Sequence, residues 1–423
     1  MFETTALIIS LALFFFNYSL NGDLFYPPAL FSLIWTVVFA AYIIYTNINT
    51  GGVFNVDGRS FFVFISGEIL FSAGALFAID RKKLKDKSIC KPAILHQFDK
   101  YLYWFLIIML PLYIFKLMAI VGASSINDTN AFMILRYEFT QEDVDLGIIK
   151  YTNYIALFAF AIALYKFHYT GYKPVAWEQK LYKYSYYLIV TIYCVLSTGR
   201  TYLLILFCLY IGFKGISGVL KKRHYVFAGL TVFILFGAIA LVLKKAGGDD
   251  LSFTQTIGSV FDSFTVYFVG GIYAFNSVIK DGFTLDYGEN TFRFFVALFH
   301  SFGLTAKEPK NLVMPFITTP VMSNVYSLYY IYIKDFWYFG ILFNFLWGYL
   351  HSWFYYRARK NFTYLFGYGL LLYPLVLSFF QDQYMSLIST WIQMAVLAYI
   401  ATHFIKYEKI TETETQPVKN QPS

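Results

Sequence analysis

The chain has 423 residues, 58% apolar and only 14% charged, with a formal net charge of +8 and a mean hydropathy of +0.55. A soluble domain carries roughly 25% charged residues, so this sequence lacks the polar surface to face water all round. Its basic residues sit in short clusters between apolar runs, which argues against a nucleic-acid-binding stripe and makes them markers of membrane topology.

In chain order, apolar runs fall near 4–20, 24–46, 60–79, 101–120, 149–167, 184–199, 201–217, 225–243, 329–352, 363–380 and 385–405. Most match the ~30 Å hydrocarbon core of a bilayer when helical. Backbone in lipid must satisfy its own hydrogen bonds, which selects helices for runs of this length. The expected fold is therefore all-α, a polytopic membrane protein of about 11 transmembrane helices in a single domain over residues 1–409. The polar tail 410–423 (ITETETQPVKNQPS) is expected to be disordered.

Basic clusters orient the runs. Arg81, Lys82 and Lys83 follow the third, Lys173, Lys180 and Lys183 the fifth, and Lys221, Lys222 and Arg223 the seventh. Arg357, Arg359 and Lys360 follow the ninth, and Lys406 and Lys409 the last. All fall on the inner side if the N-terminus is outside and the C-terminus cytoplasmic. The outer side then holds loops 121–148 and 244–328 and the tight turn Ser197-Thr198-Gly199-Arg200. Within the long loop, 264–279 and 291–304 are too short or too polar for confident spans, and are expected to lie in the interface or to re-enter the bilayer. Met1-Phe2-Glu3 gives no basic start to a secretory signal. Cys90, Cys194 and Cys208 are too few and too scattered for a disulfide framework or a metal site.

Arg200 is the most informative single residue. As one helix, 184–217 would be roughly 50 Å long, too long to cross once. Broken at Thr198-Gly199 it becomes two helices of ~25 Å, so the hairpin tip is drawn to or below headgroup level with Arg200 on it. A charge there costs about 2.5–3.5 kcal/mol and therefore marks a partner or a function. A guanidinium is also shaped to grip phosphate oxygens at two points. The competing reading is an arginine that snorkels to lipid headgroups.

Other outer cations are Arg136 in an apolar context, Lys244 and Lys245 at the end of the eighth run, and Arg293 between two phenylalanines. For the lysine pair, interfacial anchoring is at least as good an explanation. Proton acceptors on that side include Asp262, Asp286, Glu289, His300 and Asp335. His300 lies in an apolar stretch where a buried neutral histidine is the commoner outcome, and Asp335 beside Lys334 could form a local ion pair. Asp143-Val144-Asp145 spells a two-carboxylate pattern in an acidic loop. Tyr267, Tyr273 and Tyr326, with Asn324, suit either a membrane interface or a sugar face. No GxxxxGK[ST] or GxGxxG occurs, so no nucleotide cofactor and no metal are expected, and the energy for an enzymatic step must come from an activated donor already in the membrane.

Three stretches resemble the Wzy-type oligosaccharide repeat-unit polymerases: VLSTGRTYLLILF (195–207), VYFVGGIYAF (266–275) and NVYSLYYIYIKDFWYFGILFNFLWGYL (324–350). Family members more often carry a glycine soon after the Asp-Phe pair, whereas Trp337-Tyr338-Phe339 intervene here before Gly340. The resemblance implies a GT-C-like membrane glycosyltransferase that joins polyprenyl-diphosphate-linked (undecaprenyl diphosphate in bacteria) oligosaccharides into O-antigen or capsular polysaccharide at the outer face of the cytoplasmic membrane. It implies a diphosphate clamp of Arg200 with Arg136 and Arg293, a base such as His300 or Asp335, and substrate contacts from Lys244, Lys245, Tyr267, Tyr273, Asn324 and Tyr326. Membrane lipid and a chain-length regulator are the implied partners. A flippase for lipid-linked sugars and a ligase that attaches finished glycan remain the alternatives.

Overall fold

The computed structural model describes residues 2–48, 56–78, 91–93, 97–122, 134–135, 137–139, 146–169, 175–218, 253–311, 314–317 and 323–408, with the backbone path alone for 91–93, 200, 253–266 and 406–408. It is a helical bundle. α1 (Phe2–Asn21), α2 (Pro27–Ile48), α3 (Gly58–Phe77) and α4 (Phe98–Val121) are each long and apolar enough to cross a membrane, and so is the continuous stretch Gly147–Tyr169 built around α5 (Tyr151–Leu164). α6 (Trp177–Leu196) and α7 (Arg200–Ile216) form the expected hairpin, with Thr198 at φ 54 making the turn. α8 (Phe253–Asp281), α9 (Arg293–Ser301), α10 (Tyr329–Phe336), α11 (Phe343–Arg357), α12 (Phe362–Val376) and α13 (Ile388–Thr402) complete the bundle. Two three-residue strands, Lys91–Ala93 and Lys406–Glu408, pair antiparallel. The expected run at 225–243, the tail from 410 and the loop carrying Asp143-Val144-Asp145 lie outside the described residues.

Polar contacts distinguish two ends of the bundle. At one, Asp57 receives its backbone hydrogen bond partner from α8, its N–H donating to Asn276 Oδ1 at 2.7 Å. At the other, Tyr355 Oη donates to Asp23 at 2.5 Å, and Lys166 and Tyr182 both donate to the buried Asp99 at 2.5 and 2.9 Å. Between them, α1, α2 and α3 share a polar seam in which Ser10 Oγ donates to Glu68 at 2.8 Å and Asn17 Nδ2 to Ser72 at 2.9 Å. Such pairs satisfy groups that would otherwise be stranded in hydrocarbon.

One sequence expectation is corrected. The run 329–352 is not one helix. Trp337 adopts φ 52, a 3₁₀ segment Trp337–Leu342 follows, and the chain reverses so that Tyr332 stacks on Phe343 at 4.6 Å. Gly340 permits the reversal, since a Cβ there would lie 2.2 Å from the Tyr332 carbonyl oxygen. The segment 264–279 belongs to a helix of 29 residues, about 43 Å at 1.5 Å per residue, whose Val269, Ile272, Phe275 and Ile279 are buried in a cluster with residues of α2 and α3.

Candidate active site at one end of the bundle

The chain enters this end on the turn after α8, Asp286-Tyr287-Gly288-Glu289, and the turn is fastened to α10. Asp286 N–H donates to the Lys334 carbonyl at 3.0 Å. Asp335, only 2% exposed, accepts from Asn290 Nδ2 at 2.7 Å, Thr291 N–H at 2.6 Å and Asn290 N–H at 3.3 Å. Its partner is thus the 290–291 backbone and amide rather than Lys334, and both oxygens are engaged. Around this anchor lie charged groups: Lys310 reaches Asp286 at 3.4 Å and Glu289 at 3.6 Å, Lys307 pairs with Glu289, and Arg293 Nε donates to the Lys310 carbonyl. Asp57 caps α3 at the same end, accepting from Arg59 N–H at 2.8 Å, and the Arg59 side chain beside it holds the carboxyl below the usual aspartate range.

Beneath the charged turn is a buried polar network that the sequence reading did not single out. Asp382 accepts from Tyr332 Oη at 2.7 Å, from the N–H groups of Tyr384, Met385 and Ser386, and from Ser386 Oγ. Trp347 Nε1 donates to Tyr332 Oη at 3.1 Å, while Tyr384 stacks on Trp347 at 4.3 Å and hydrogen-bonds His351 Nε2 at 2.8 Å. α12 and α13 hold 15 residues each, about 22 Å, so neither spans a ~30 Å core and the Gln381-Asp382-Gln383 connection is drawn inward. The shortness of the two apolar runs is the signal that the sequence carries for this connection. Irregular backbone at this depth survives because donors from the turn itself satisfy it.

Two apolar cavities flank this connection. One, about 450 Å³, lies between α11, α12 and α13 beside Tyr384 and Met385. The other, about 280 Å³, is walled by Ile34 and Val37 of α2, Leu204 and Phe207 of α7, Tyr267 of α8 and Phe380. Positions 200, 204 and 207 share one face of α7 by their i, i+4, i+7 spacing, so this cavity runs along the helix face that begins at Arg200.

The expected site residues are therefore only partly assembled. Arg293, Asp335 and the 286–291 turn meet. Tyr267 lines the smaller cavity. Tyr273 is buried against Tyr42 and Tyr45, and Tyr326 is buried with its hydroxyl donating to the Pro315 carbonyl. Asn324 is half-buried in the strand-like approach to α10. His300, expected to be buried, is exposed near the end of α9 because that helix buries none of its residues. Arg136, Lys244 and Lys245, and the side chain of Arg200, lie outside the described residues.

Fold and site together define a polytopic, all-α membrane protein with polar chemistry gathered at one bundle end and apolar cavities below it. Over 211 residues, 49% of this chain, the sequence is 30% identical to the O-antigen polymerase of Shigella dysenteriae, and the match covers 53% of that relative. Over 284 residues it is 23% identical to a putative O-antigen polymerase of Escherichia coli K12, covering 66% of this chain and 67% of the relative. The chain thus spans about half the length of the first relative and two thirds of the second. No protein-family model and no solved structure matches it. The names of both relatives agree with the likeness to the repeat-unit polymerases.

Proposed function

We propose that this chain polymerises oligosaccharide repeat units carried on polyprenyl diphosphate, building O-antigen or a capsular glycan at the outer face of the cytoplasmic membrane. The Asp335 end of the bundle faces outward and the Asp99 end faces the cytoplasm, in keeping with the basic clusters. The observation that carries the proposal is the apolar cavity along α7, which would lodge an isoprenoid tail and leave its diphosphate at position 200. Joining two lipid-linked molecules requires two tails at once, and the cavity beside Tyr384 offers a place for the second.

In the proposed reaction, a hydroxyl of the incoming repeat unit attacks the anomeric carbon of the growing glycan. The bond from that carbon to the diphosphate oxygen breaks, and the lipid diphosphate leaves with the electron pair. Arg200, with Arg136, offsets the charge that develops on the leaving group. Arg293 is already engaged with the 310 carbonyl and contributes at the glycan side. The attacking hydroxyl passes its proton to the exposed His300 or to the half-buried carboxylate of Asp286 or Glu289, since both oxygens of Asp335 are engaged. A chain-length regulator is the proposed protein partner.

The test is deletion of the gene, with the surface polysaccharide resolved on a gel. Collapse of the ladder to one capped repeat unit supports the proposal. Persistence of long lipid-linked chains without attachment would identify a ligase, and single units trapped on the inner face a flippase. Complementation with Arg200→Lys is expected to restore less than about a tenth of the wild-type polymer, because an ammonium cannot make the two-point contact.

A further inference from the structure

Tyr287 stands in a conformation that its side chain does not favour. Its φ is 50 and that of Gly288 is 92, with Glu289 N–H donating to the Asp286 carbonyl at 3.1 Å. Positive φ at both central residues is the pattern of a type I′ turn, where Asn, Asp or Gly is the ordinary occupant of the first position. A tyrosine there is usually compensated by packing. Here the ring is 82% exposed, so packing supplies nothing. The turn is nevertheless over-determined, tied to Lys334 and Asp335 of α10 and closed by Phe292 N–H donating to the Gly288 carbonyl at 2.8 Å. Strain held in place by a rigid surround is a feature of sites that bind something.

The neighbours of the ring indicate what. Asp286 and Glu289 lie on either side of Tyr287-Gly288 in the turn, the Asn290 amide donates to Asp286, Lys310 bridges the two carboxylates and Lys307 pairs with Glu289. Close by, the Thr291 hydroxyl is buried and has no hydrogen-bond partner among the described residues. A planar apolar face bordered by carboxylates, an amide and ammonium groups matches the chemistry of a pyranose, whose C–H face stacks on a ring while its hydroxyls take and give hydrogen bonds. We propose that the Asp286–Asn290 turn is a saccharide-binding platform on which Tyr287 stacks against a sugar of the glycan substrate. The inference rests on the proposed function for the identity of that glycan and on the turn alone for its class.

The experiment uses the full-length protein in lipid nanodiscs. It is titrated with the soluble oligosaccharide released by mild acid from the host's lipid-linked repeat unit, alongside thermal unfolding of each variant. Tyr287→Asn is expected to weaken binding at least tenfold while leaving the unfolding temperature unchanged or raised, because asparagine accepts the left-handed backbone. Tyr287→Trp is expected to keep the affinity within about threefold, since the larger ring still stacks. Unchanged affinity in Tyr287→Asn overturns the platform, and so does a parallel loss of stability and binding, which would mark Tyr287 as structural. Absence of saturable binding by the wild type also overturns it. A chain that binds the oligosaccharide through Tyr287 but whose deletion leaves the polysaccharide ladder intact would keep the platform and remove the polymerase reading. Normal polymer from Tyr287→Asn would do the reverse.

Discussion

Asp335 fastens the 286–291 turn to α10 through the hydrogen bonds it accepts. Hydrogen bonds to a charged acceptor contribute about 1.5–3 kcal/mol each, and three donors converge on this one. Asp335→Ala is therefore expected to destabilise the protein by about 2 kcal/mol or more and to free the 286–291 turn. Thermal unfolding in detergent, together with proteolysis at the turn, would report both effects. Asp57 gives a pH-dependent counterpart. Its carboxyl is held below the ordinary value by the Arg59 side chain, so the cap it makes is fully present above about pH 4 and is lost as the pH falls through the lowered value. The protection factor of the amides in the first turn of α3, with intrinsic exchange divided out, should fall on acidification below pH 4 in the wild type. In Asp57→Asn it should be insensitive over the same interval.

At the scale of elements, the decisive contacts are made by glycines where helices meet backbone to backbone. Gly74 of α3 faces the Phe345 carbonyl and Gly348 of α11 faces the Phe71 carbonyl, each so closely that an added Cβ would lie 1.9 Å from the oxygen. Small residues of this kind let helices approach in lipid, where apolar side chains alone gain little by leaving one hydrocarbon for another. Gly74→Ala should push α3 and α11 apart at a cost of about 2 kcal/mol, measurable as reduced thermal stability and reduced yield of folded protein. A close approach of the same kind, at Gly340, breaks the run 329–352. Apart from Lys334 and Asp335 the stretch up to Phe343 is apolar, and composition does not register that Gly340 lies against Tyr332 on the opposite limb of a reversal. Within 264–279 the Asn276 amide oxygen accepts from Asp57 N–H and Ser60 Oγ, which ties α8 to the start of α3.

Taken as a whole, the molecule separates its two polar ends by an aromatic-rich apolar bundle, and the proposed activity requires them to face different compartments. Tyr287→Cys should react with a membrane-impermeant maleimide in intact spheroplasts, whereas Arg359→Cys should react only after lysis, both in a background with Cys90, Cys194 and Cys208 replaced. The reverse pattern would invert the orientation and move the glycan site to the cytoplasmic side.

The sequence by itself determined the class of the protein. Long apolar runs with few charges have no stable arrangement except helices in lipid, and the ~25 Å limit on two runs placed the break at Thr198-Gly199 before any contact was known. Local length and hydropathy suffice for such statements. What only the tertiary structure decided is which polar groups are spent on one another: Asp335 on Asn290 and Thr291, Asp382 on Tyr332, and Asn276 on Asp57 and Ser60. These partners lie 45, 44, 50, 219 and 216 residues apart in the chain, and no local pattern encodes a pairing made by helices that meet only after the bundle has closed.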